Sequence, residues 1–223
     1  MFNEQSARGS GMTSDRTRAR MIDRLRQQGI TDDVVLSAMN SIPRHVFVDD
    51  ALAHRAYEDD ALPIGHGQTI SSPYIVARML QTMRNGGNPG RVLEVGTGCG
   101  YQAAVLSLLA REVFSVERIS ALLDRVRARI WKLRIHNIRL AHADGYLGLA
   151  EVAPFDGIVV AAAAPAVPPR LIDQLAPGGR LVIPVGVGER QQLRVITRRL
   201  DGEGTDEALL EPVRFVPLLE RLA

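Results

Sequence analysis

Arg91-Val-Leu-Glu-Val-Gly-Thr-Gly-Cys-Gly-Tyr-Gln102 is the stretch of sequence from which the fold of the whole chain can be predicted. Residues 92–95 are mostly apolar and predict a short buried strand. The alternate glycines of 96–100 allow a sharp turn, because no Cβ obstructs the backbone there. Residues 101–110 are rich in Ala and Leu and predict a helix. A strand, a glycine turn and a helix in this order present free backbone N–H groups to a ligand.

Glu94 narrows the chemistry of that ligand. Its carboxylate comes at the end of the predicted strand, where it would repel a pyrophosphate and attract positive charge. The G-x-G-x-G spacing also differs from the G-x-G-x-x-G of dinucleotide-binding proteins, and no P-loop lysine follows it. The amino and sulfonium groups of S-adenosylmethionine are cationic, so this cofactor fits the turn. A tight strand-to-helix turn that binds nothing is the alternative.

Composition limits the class of protein. A chain of 223 residues is long enough for one sizeable domain. No apolar run approaches the roughly 20 residues of a membrane span. A net charge of +2 is too small to predict nucleic-acid binding, and a single cysteine is typical of a reducing compartment. We therefore expect a cytoplasmic protein without membrane or nucleic-acid partners, and a disordered polar leader over residues 1–12.

Residues 13–90 predict a helical cap on the core. The segment 13–28 and a second segment capped by Thr31 carry apolar faces at helical spacing. Residues 62–72 predict a loop, but one with too many apolar side chains to project into solvent. Ser72-Pro73 then forms a typical N-cap and N1 pair for a third helix, whose N-terminal N–H groups suit an anion.

Residues 91–223 alternate between strand patterns and helix patterns. This alternation predicts right-handed βαβ units and a doubly wound, mostly parallel α/β sheet of the Rossmann-like class. Two strand patterns around residues 201–204 predict an antiparallel hairpin at the C-terminal edge of the sheet. With neither linker nor repeat, residues 13–223 are predicted to form one domain. The predicted strands are 92–95, 113–117, 138–141, 155–160 and 180–185, followed by the hairpin strands 192–200 and 209–218.

Acidic residues are predicted at the carboxyl ends of three successive strands, where open α/β sheets bind ligands. Besides Glu94, Glu117 lies 21 residues beyond Gly96, where a carboxylate can accept hydrogen bonds from both ribose hydroxyls. Asp144, followed by Gly145, suits the amino group of adenine. A single acid at a strand end is usually only solvated, whereas three beside one glycine turn favour a binding site.

Other chemistries find little support in the sequence. The five histidines are scattered, with no H-x-x-H spacing and no cysteine partner, so we predict no metal site. No G-x-S-x-G motif exists, which argues against an α/β-hydrolase. Cys99 lies near a helix N-terminus, where a lowered pKa would make its thiol reactive. The alternative is a small residue that fills a serine-sized space.

Residues 92–102 resemble the first motif of class I S-adenosylmethionine-dependent methyltransferases. From about residue 16 to the C-terminus, the chain resembles the protein-L-isoaspartate O-methyltransferase family, most specifically in Gly67-Gln-Thr-Ile-Ser-Ser-Pro-Tyr74. Cys99, where the family usually has serine, and Ser72, where another polar residue is common, depart from the pattern. The remaining matching motifs are Pro43-Arg44, Phe47-Val-Asp49, Leu62-Pro-Ile-Gly65, Asp144-Gly145, Phe155-Asp156, 175–179, Pro184-Val-Gly186 and Arg214-Phe-Val-Pro-Leu218.

The resemblance implies methyl transfer from S-adenosylmethionine to the free α-carboxylate of L-isoaspartyl residues in damaged proteins, with S-adenosylhomocysteine as product. The methyl ester would close to a succinimide, whose hydrolysis returns some normal aspartate. The acceptor carboxylate is already ionised at pH 7, so no general base is required. Positioning, and exclusion of water under the 62–72 loop, would supply the catalysis. The implied catalytic residue is Ser71, and the implied cofactor-binding residues are Thr69, Glu94, Gly96, Thr97, Gly98, Glu117, Asp144 and Gly145.

Two other functions are compatible with the glycine turn alone. A small-molecule or RNA methyltransferase would be expected to carry a different segment before the turn, and an RNA enzyme usually has a basic patch. A cofactor-binding module without catalysis would be expected to lack the serines of the 62–72 loop. We expect isoaspartyl proteins and peptides as the partners, and a monomeric enzyme.

Overall fold

The computed structural model describes residues 9–223. The predicted leader, residues 1–12, lies outside the described residues except for 9–12, and Gly11–Thr13 form one turn of 3-10 helix. The α-helices are α1 (Asp15–Gln27), α2 (Asp33–Ser41), α3 (Pro73–Arg84), α4 (Tyr101–Leu106), α5 (Ser120–Lys132) and α6 (Pro169–Asp173). The strands are β1 (Leu62–Gly65), β2 (Gln68–Ile70), β3 (Arg91–Val95), β4 (Glu112–Glu117), β5 (Ile138–His142), β6 (Phe155–Val160), β7 (Leu175–Val187), β8 (Arg190–Arg198) and β9 (Thr205–Val213).

Seven strands form the main sheet, in the order β5-β4-β3-β6-β7-β8-β9. The five strands from β5 to β7 are parallel, which confirms the predicted doubly wound sheet. The chain enters at β3, proceeds outward through β4 and β5, and then returns to β6 on the other side of β3. The order therefore reverses between β3 and β6, and a crevice forms at the carboxyl ends of these strands.

The antiparallel edge of the sheet is larger than predicted. Strands β7, β8 and β9 pair antiparallel. Compared with the predicted hairpin strands, β8 ends two residues earlier and β9 ends five residues earlier. The predicted strand 180–185 is only part of β7, because the Pro-Gly-Gly segment 177–179 before it also lies inside this strand. The register with β6 shifts there, from Phe155 opposite Leu175 to Gly157 opposite Arg180, so the sheet absorbs these residues as an irregularity.

Helix capping matches the prediction at α3 but not at α2. The hydroxyl oxygen of Ser72 accepts a hydrogen bond from the backbone N–H of Ile75 at 3.4 Å, as expected of an N-cap. Thr31 was the predicted cap of α2, but Asp32 occupies that position and accepts bonds from two N–H groups of the first turn. The backbone N–H of Thr31 donates to Gln81 Oε1 at 2.7 Å instead.

Residues 62–70 form a β-hairpin, where the sequence predicted a loop. Leu62 pairs with Ile70, and both side chains are buried, whereas the tip of the hairpin turns through left-handed backbone at His66 and Gly67. Two short strands interrupted by proline and glycine look like a loop in sequence. The buried ends explain why so many apolar residues occur here.

The hydrophobic core lies on both faces of the sheet. Adjacent residues of β3, Val92 and Leu93, belong to two separate clusters of buried side chains, since successive side chains of a strand point to opposite faces. Buried residues of α1, α2 and α3 belong to the cluster of Val92. The N-terminal helices and the sheet therefore share one core. The division of the chain into a cap and a core at residue 90 stays a prediction from the sequence. Within residues 9–223, no helix is long and apolar enough to cross a membrane.

Candidate active site

A cavity opens at the crevice between β3 and β6, bounded by the glycine turn on one side and by the 62–70 hairpin on the other. Its lining includes Ala161 and Ala162 after β6, and the C-terminal residues 216–219. Seven of the nine predicted site residues line this cavity, whereas Glu94 and Asp144 do not. Those in the lining are Thr69, Ser71, Gly96, Thr97, Gly98, Glu117 and Gly145.

The glycine turn has the backbone that was predicted but not the free N–H groups. Gly96, Gly98 and Gly100 have φ values of 93°, 54° and 86°, in the left-handed region that favours glycine. The N–H groups of Gly96 and Thr97 donate to the carbonyl oxygen of Val116, and that of Gly100 donates to Thr97. Most donors of the turn are therefore already used within the protein. The turn therefore offers few donors to a phosphate, and its geometry is compatible with a cationic ligand.

Glu94 lies behind the wall of the cavity. Its carboxyl group is fully buried and accepts a hydrogen bond from the hydroxyl of Ser115, which lies 2.6 Å from the hydroxyl oxygen of Thr97. Burial raises the pKa of Glu94 to about 8, although the hydrogen bond from Ser115 opposes the rise. The structure therefore connects Glu94 to the cavity through Ser115 and Thr97, and no direct contact with a ligand is required of it.

Glu117 ends β4 and faces the cavity from the neighbouring strand. One carboxylate oxygen accepts from the backbone N–H of Gly98 at 2.8 Å, and the other from that of Ile119 at 3.0 Å. These bonds fix the carboxylate in place, and each oxygen keeps a second lone pair for a hydroxyl donor. The arrangement suits the two neighbouring hydroxyls of a ribose.

Asp144 and Gly145 follow β5 but have different positions. The carboxylate of Asp144 accepts from the backbone N–H groups of Tyr146 and Arg221, at 2.9 and 2.8 Å, and does not line the cavity. Gly145 does line it, and a Cβ at this position would lie only 2.4 Å from Val95 Cγ1. Asp144 thus connects the C-terminal segment to this edge of the site. Gly145, which has no Cβ, allows the backbone to approach the side chain of Val95 closely.

The two serines before α3 also differ in whether they line the cavity. Ser71 lines the cavity, whereas Ser72 is used as the N-cap of α3 and does not. Two of the N–H groups expected to suit an anion at this helix N-terminus, those of Tyr74 and Ile75, are already occupied. Pro73 has none, and the backbone N–H of Tyr74 donates to Asp59 Oδ1 at 2.8 Å. Ser71 therefore brings a hydroxyl donor to the cavity lining, where it suits an incoming carboxylate.

Sequence reasoning missed two groups of residues near the cavity. Tyr101 and Gln102, at the start of α4, are buried and line it. The segment 216–219 also lines it, and is held in place by paired backbone bonds between Ala163 and residues 216 and 218. Tyr101 and Gln102 belong to the glycine motif, and residues 216–218 belong to a C-terminal motif. The sequence therefore marked these positions as part of the family pattern but did not indicate that they line the cavity.

Cys99 is the small buried residue of the two alternatives, not the reactive thiol. It is 8% exposed, and burial raises the pKa of its thiol, where reactivity would need a lowered pKa. Among residues 9–223, no group of three or more His, Cys, Asp or Glu side chains is arranged to hold a metal ion.

A doubly wound sheet, with a glycine turn at its reversal point and a carboxylate at the end of the next strand, is typical of the Rossmann-like class. The G-x-G-x-G spacing and the occupied N–H groups of the turn favour a class I methyltransferase over a dinucleotide-binding protein. The family model for protein-L-isoaspartate(D-aspartate) O-methyltransferase matches residues 16–223. The chain belongs to this family, as its motifs predicted.

Relatives of known name agree with this assignment over nearly the whole chain. A protein-L-isoaspartate O-methyltransferase of Methylobacillus flagellatus is 59% identical over 213 residues, which is 95% of each chain. Protein-L-isoaspartate O-methyltransferase 2 of Nitrosospira multiformis is 58% identical and covers 93% of this chain and 97% of its own. A crystal structure from Plasmodium falciparum, described as such an enzyme in complex with S-adenosyl-L-homocysteine, has a TM-score of 0.76 at 28% identity, covering 91% of this chain and 98% of that one.

Proposed function

We propose that this chain transfers a methyl group from S-adenosylmethionine to the free α-carboxylate of L-isoaspartyl residues in damaged proteins and peptides. One observation carries the proposal beyond family membership: Ser71 of the family's most specific motif and Glu117 beside the glycine turn line the same cavity. The methyl ester would then close to a succinimide without further catalysis, and hydrolysis would return some normal aspartate.

The residues of the cavity fit this cofactor. When bound, S-adenosylmethionine supplies a methyl group activated by its sulfonium. Glu117 would hold the ribose, and Gly145 would lie against the adenine side of the site. A side chain is disfavoured at Gly98, because its φ of 54° lies in the left-handed region and an added Cβ would lie 3.3 Å from Ile64 Cδ1 of the hairpin.

Ser71 is the residue that we assign to the acceptor. An isoaspartyl carboxylate is ionised at pH 7 and needs no base. The protein must instead orient it and keep water away. The hydroxyl of Ser71 would donate to one carboxylate oxygen, while the 62–70 hairpin covers the cavity from above. This division of labour explains why the mechanism requires no histidine or lysine.

The deciding experiment presents two peptides that differ only in the linkage at one aspartyl residue. The protein is mixed with methyl-labelled S-adenosylmethionine and either the isoaspartyl or the normal aspartyl peptide. We expect base-labile label on the isoaspartyl peptide alone. Equal labelling of both peptides, or of neither under conditions where the cofactor binds, would contradict the proposal.

We also infer that the enzyme acts as a monomer. Strand β9 forms one edge of the sheet, and such edges can pair with a second copy. The exposed Asp206, Glu207 and Pro212 on this edge oppose such pairing. Sedimentation velocity across a hundredfold range of concentration should give a single species at the mass of one chain, and a concentration-dependent dimer would contradict the inference.

A further inference from the structure

Arg44 joins the acceptor side of the cavity to the cofactor side, although it does not line the cavity. Its side chain is fully buried, with an exposed fraction of 0%. Nε donates to the carbonyl oxygen of Ala56 at 2.8 Å, and Nη2 donates to the carbonyl oxygen of Ser71 at 2.8 Å. The guanidinium also lies over the ring of Tyr101, with Cζ 5.0 Å from the ring centroid.

Such a burial is unusual for an arginine. Desolvation lowers the pKa of Arg44, and within the described residues its guanidinium forms no ion pair and its Nη1 has no hydrogen-bond partner. Arg84 is almost as deeply buried but pairs with Asp32 at 3.4 Å. A buried charge held by carbonyl oxygens and an aromatic ring is costly unless its position serves a purpose.

The segment that carries Arg44 makes a second connection to the glycine turn. Phe47 is the last residue of a short 3-10 helix, Arg44–Phe47, and packs edge-to-face on Tyr101 at 5.5 Å between ring centroids. Phe47 also lies beneath Arg129, which donates to the carbonyl oxygen of Cys99 at 2.7 Å. Residues 44–47 therefore hold the start of α4 and the turn before it, as well as Ser71.

We propose that Arg44 is a positioning residue for methyl transfer, which fixes Ser71 at a set distance from the glycine turn and hence from the bound methyl donor. The proposal rests on the proposed function, because it gives Arg44 its effect through the hydroxyl of Ser71. Displacement of a positioned group by about 1 Å can lower a rate by about 100-fold. The residues that we assign to the cofactor are the glycine turn, Glu117 and Gly145. The hydrogen bonds of Arg44 go instead to Ala56 and Ser71.

The test compares Arg44→Met and Arg44→Lys with a matched control, Arg24→Met. Arg24 also donates to a backbone carbonyl of this region, that of Tyr57 at 2.7 Å, but does not contact Ser71. We measure kcat and KM for a saturable isoaspartyl peptide, the Kd for S-adenosylhomocysteine by calorimetry, and Tm for each variant.

For Arg44→Met we expect kcat to fall by about 100-fold while the Kd for S-adenosylhomocysteine stays within about twofold. Arg44→Lys should lie between this variant and wild type, and Arg24→Met should keep kcat close to wild type even if its Tm falls. Equal losses of kcat in Arg44→Met and Arg24→Met would show a merely structural role and overturn the proposal.

A double-mutant cycle with Ser71→Ala completes the test and also serves if Arg44→Met does not fold. If Arg44 acts through Ser71, Arg44→Lys should lower kcat much less in the Ser71→Ala background than in wild type. Additive effects, or an Arg44→Lys variant with unchanged kcat, would overturn the proposal. Wild-type enzyme that fails to methylate the isoaspartyl peptide would instead count against the proposed function, so the two failures are distinguishable.

Discussion

Ser71 and Ser72 are chemically identical neighbours whose surroundings give them different roles. Replacing Ser71 with Ala removes a hydroxyl donor from a residue that lines the cavity. We expect kcat to fall on the order of 100-fold, as for loss of one preorganised donor. The Kd for S-adenosylmethionine should change little, since the hydroxyl does not belong to the glycine turn. Steady-state kinetics with saturating isoaspartyl peptide, together with calorimetry, checks both values.

Ser72→Ala is the matched control for that prediction. It removes the N-cap of α3 and should lower the free energy of unfolding by about 1 kcal/mol. Its kcat should stay close to wild type. If Ser72→Ala loses more turnover than Ser71→Ala, the assignment of the two serines has to be exchanged.

Glu94 makes the stability of the fold depend on pH. Its folded-state pKa, about 8, lies above the ordinary value of 4.5, so the folded protein binds more protons than the unfolded chain between these values. The free energy of unfolding should therefore fall as pH rises through this window, by up to about 1.4 kcal/mol per pH unit from this group. Below about pH 4.5 the carboxyl is protonated in both states, and its contribution no longer changes.

Glu94→Gln isolates this effect, because the amide cannot ionise. We measure the free energy of unfolding of wild type and variant with urea at intervals from pH 4.5 to 9. As pH rises, the free energy of unfolding of the variant should increase relative to that of wild type. A constant difference between the two across that range would mean that burial of Glu94 does not couple to protonation.

At the scale of elements, Gly100 sets how closely the glycine turn packs on α5. A Cβ at this position would lie 2.7 Å from Val126 Cγ1, and φ is 86°. Gly188→Ala is the control, since φ is 60° there but no atom lies within 4 Å of the added Cβ. Gly100→Ala should be destabilised by about 1–3 kcal/mol more than the control, measured by urea unfolding. An equal loss of unfolding free energy in Gly100→Ala and Gly188→Ala would mean that backbone strain alone causes the effect.

The elements that the sequence predicted are those with a continuous local pattern. Strands β3, β4 and β6 are buried on both faces, so they appear in sequence as apolar runs beside helical repeats. The 62–70 hairpin has strands of only four and three residues, and its proline and glycines dominate the local pattern. The irregular passage of 177–179 through β7 depends on pairing with β6, which no local pattern contains.

The candidate site was predictable to the extent that its residues follow strands. Glu117 and Gly145 were found because carboxyl ends of parallel strands meet in one crevice. Asp144 turns away because it binds Arg221, 77 residues later, and such a contact leaves no trace in spacing. Arg44 was seen only as part of a motif, since arginine is rarely buried without a carboxylate partner.

For the whole molecule, the shared core predicts that residues 13–90 and 91–223 unfold together. Buried side chains of α1–α3 and of β3 belong to one cluster, so neither part keeps its core without the other. Thermal unfolding followed by circular dichroism and calorimetry should give one transition, with equal calorimetric and van't Hoff enthalpies. S-adenosylhomocysteine at about 100 times its Kd should add about 2.7 kcal/mol and raise the whole transition by roughly 5–10 °C. Two transitions, of which the cofactor shifts only one, would show instead that the chain divides near residue 90 into separate folding units.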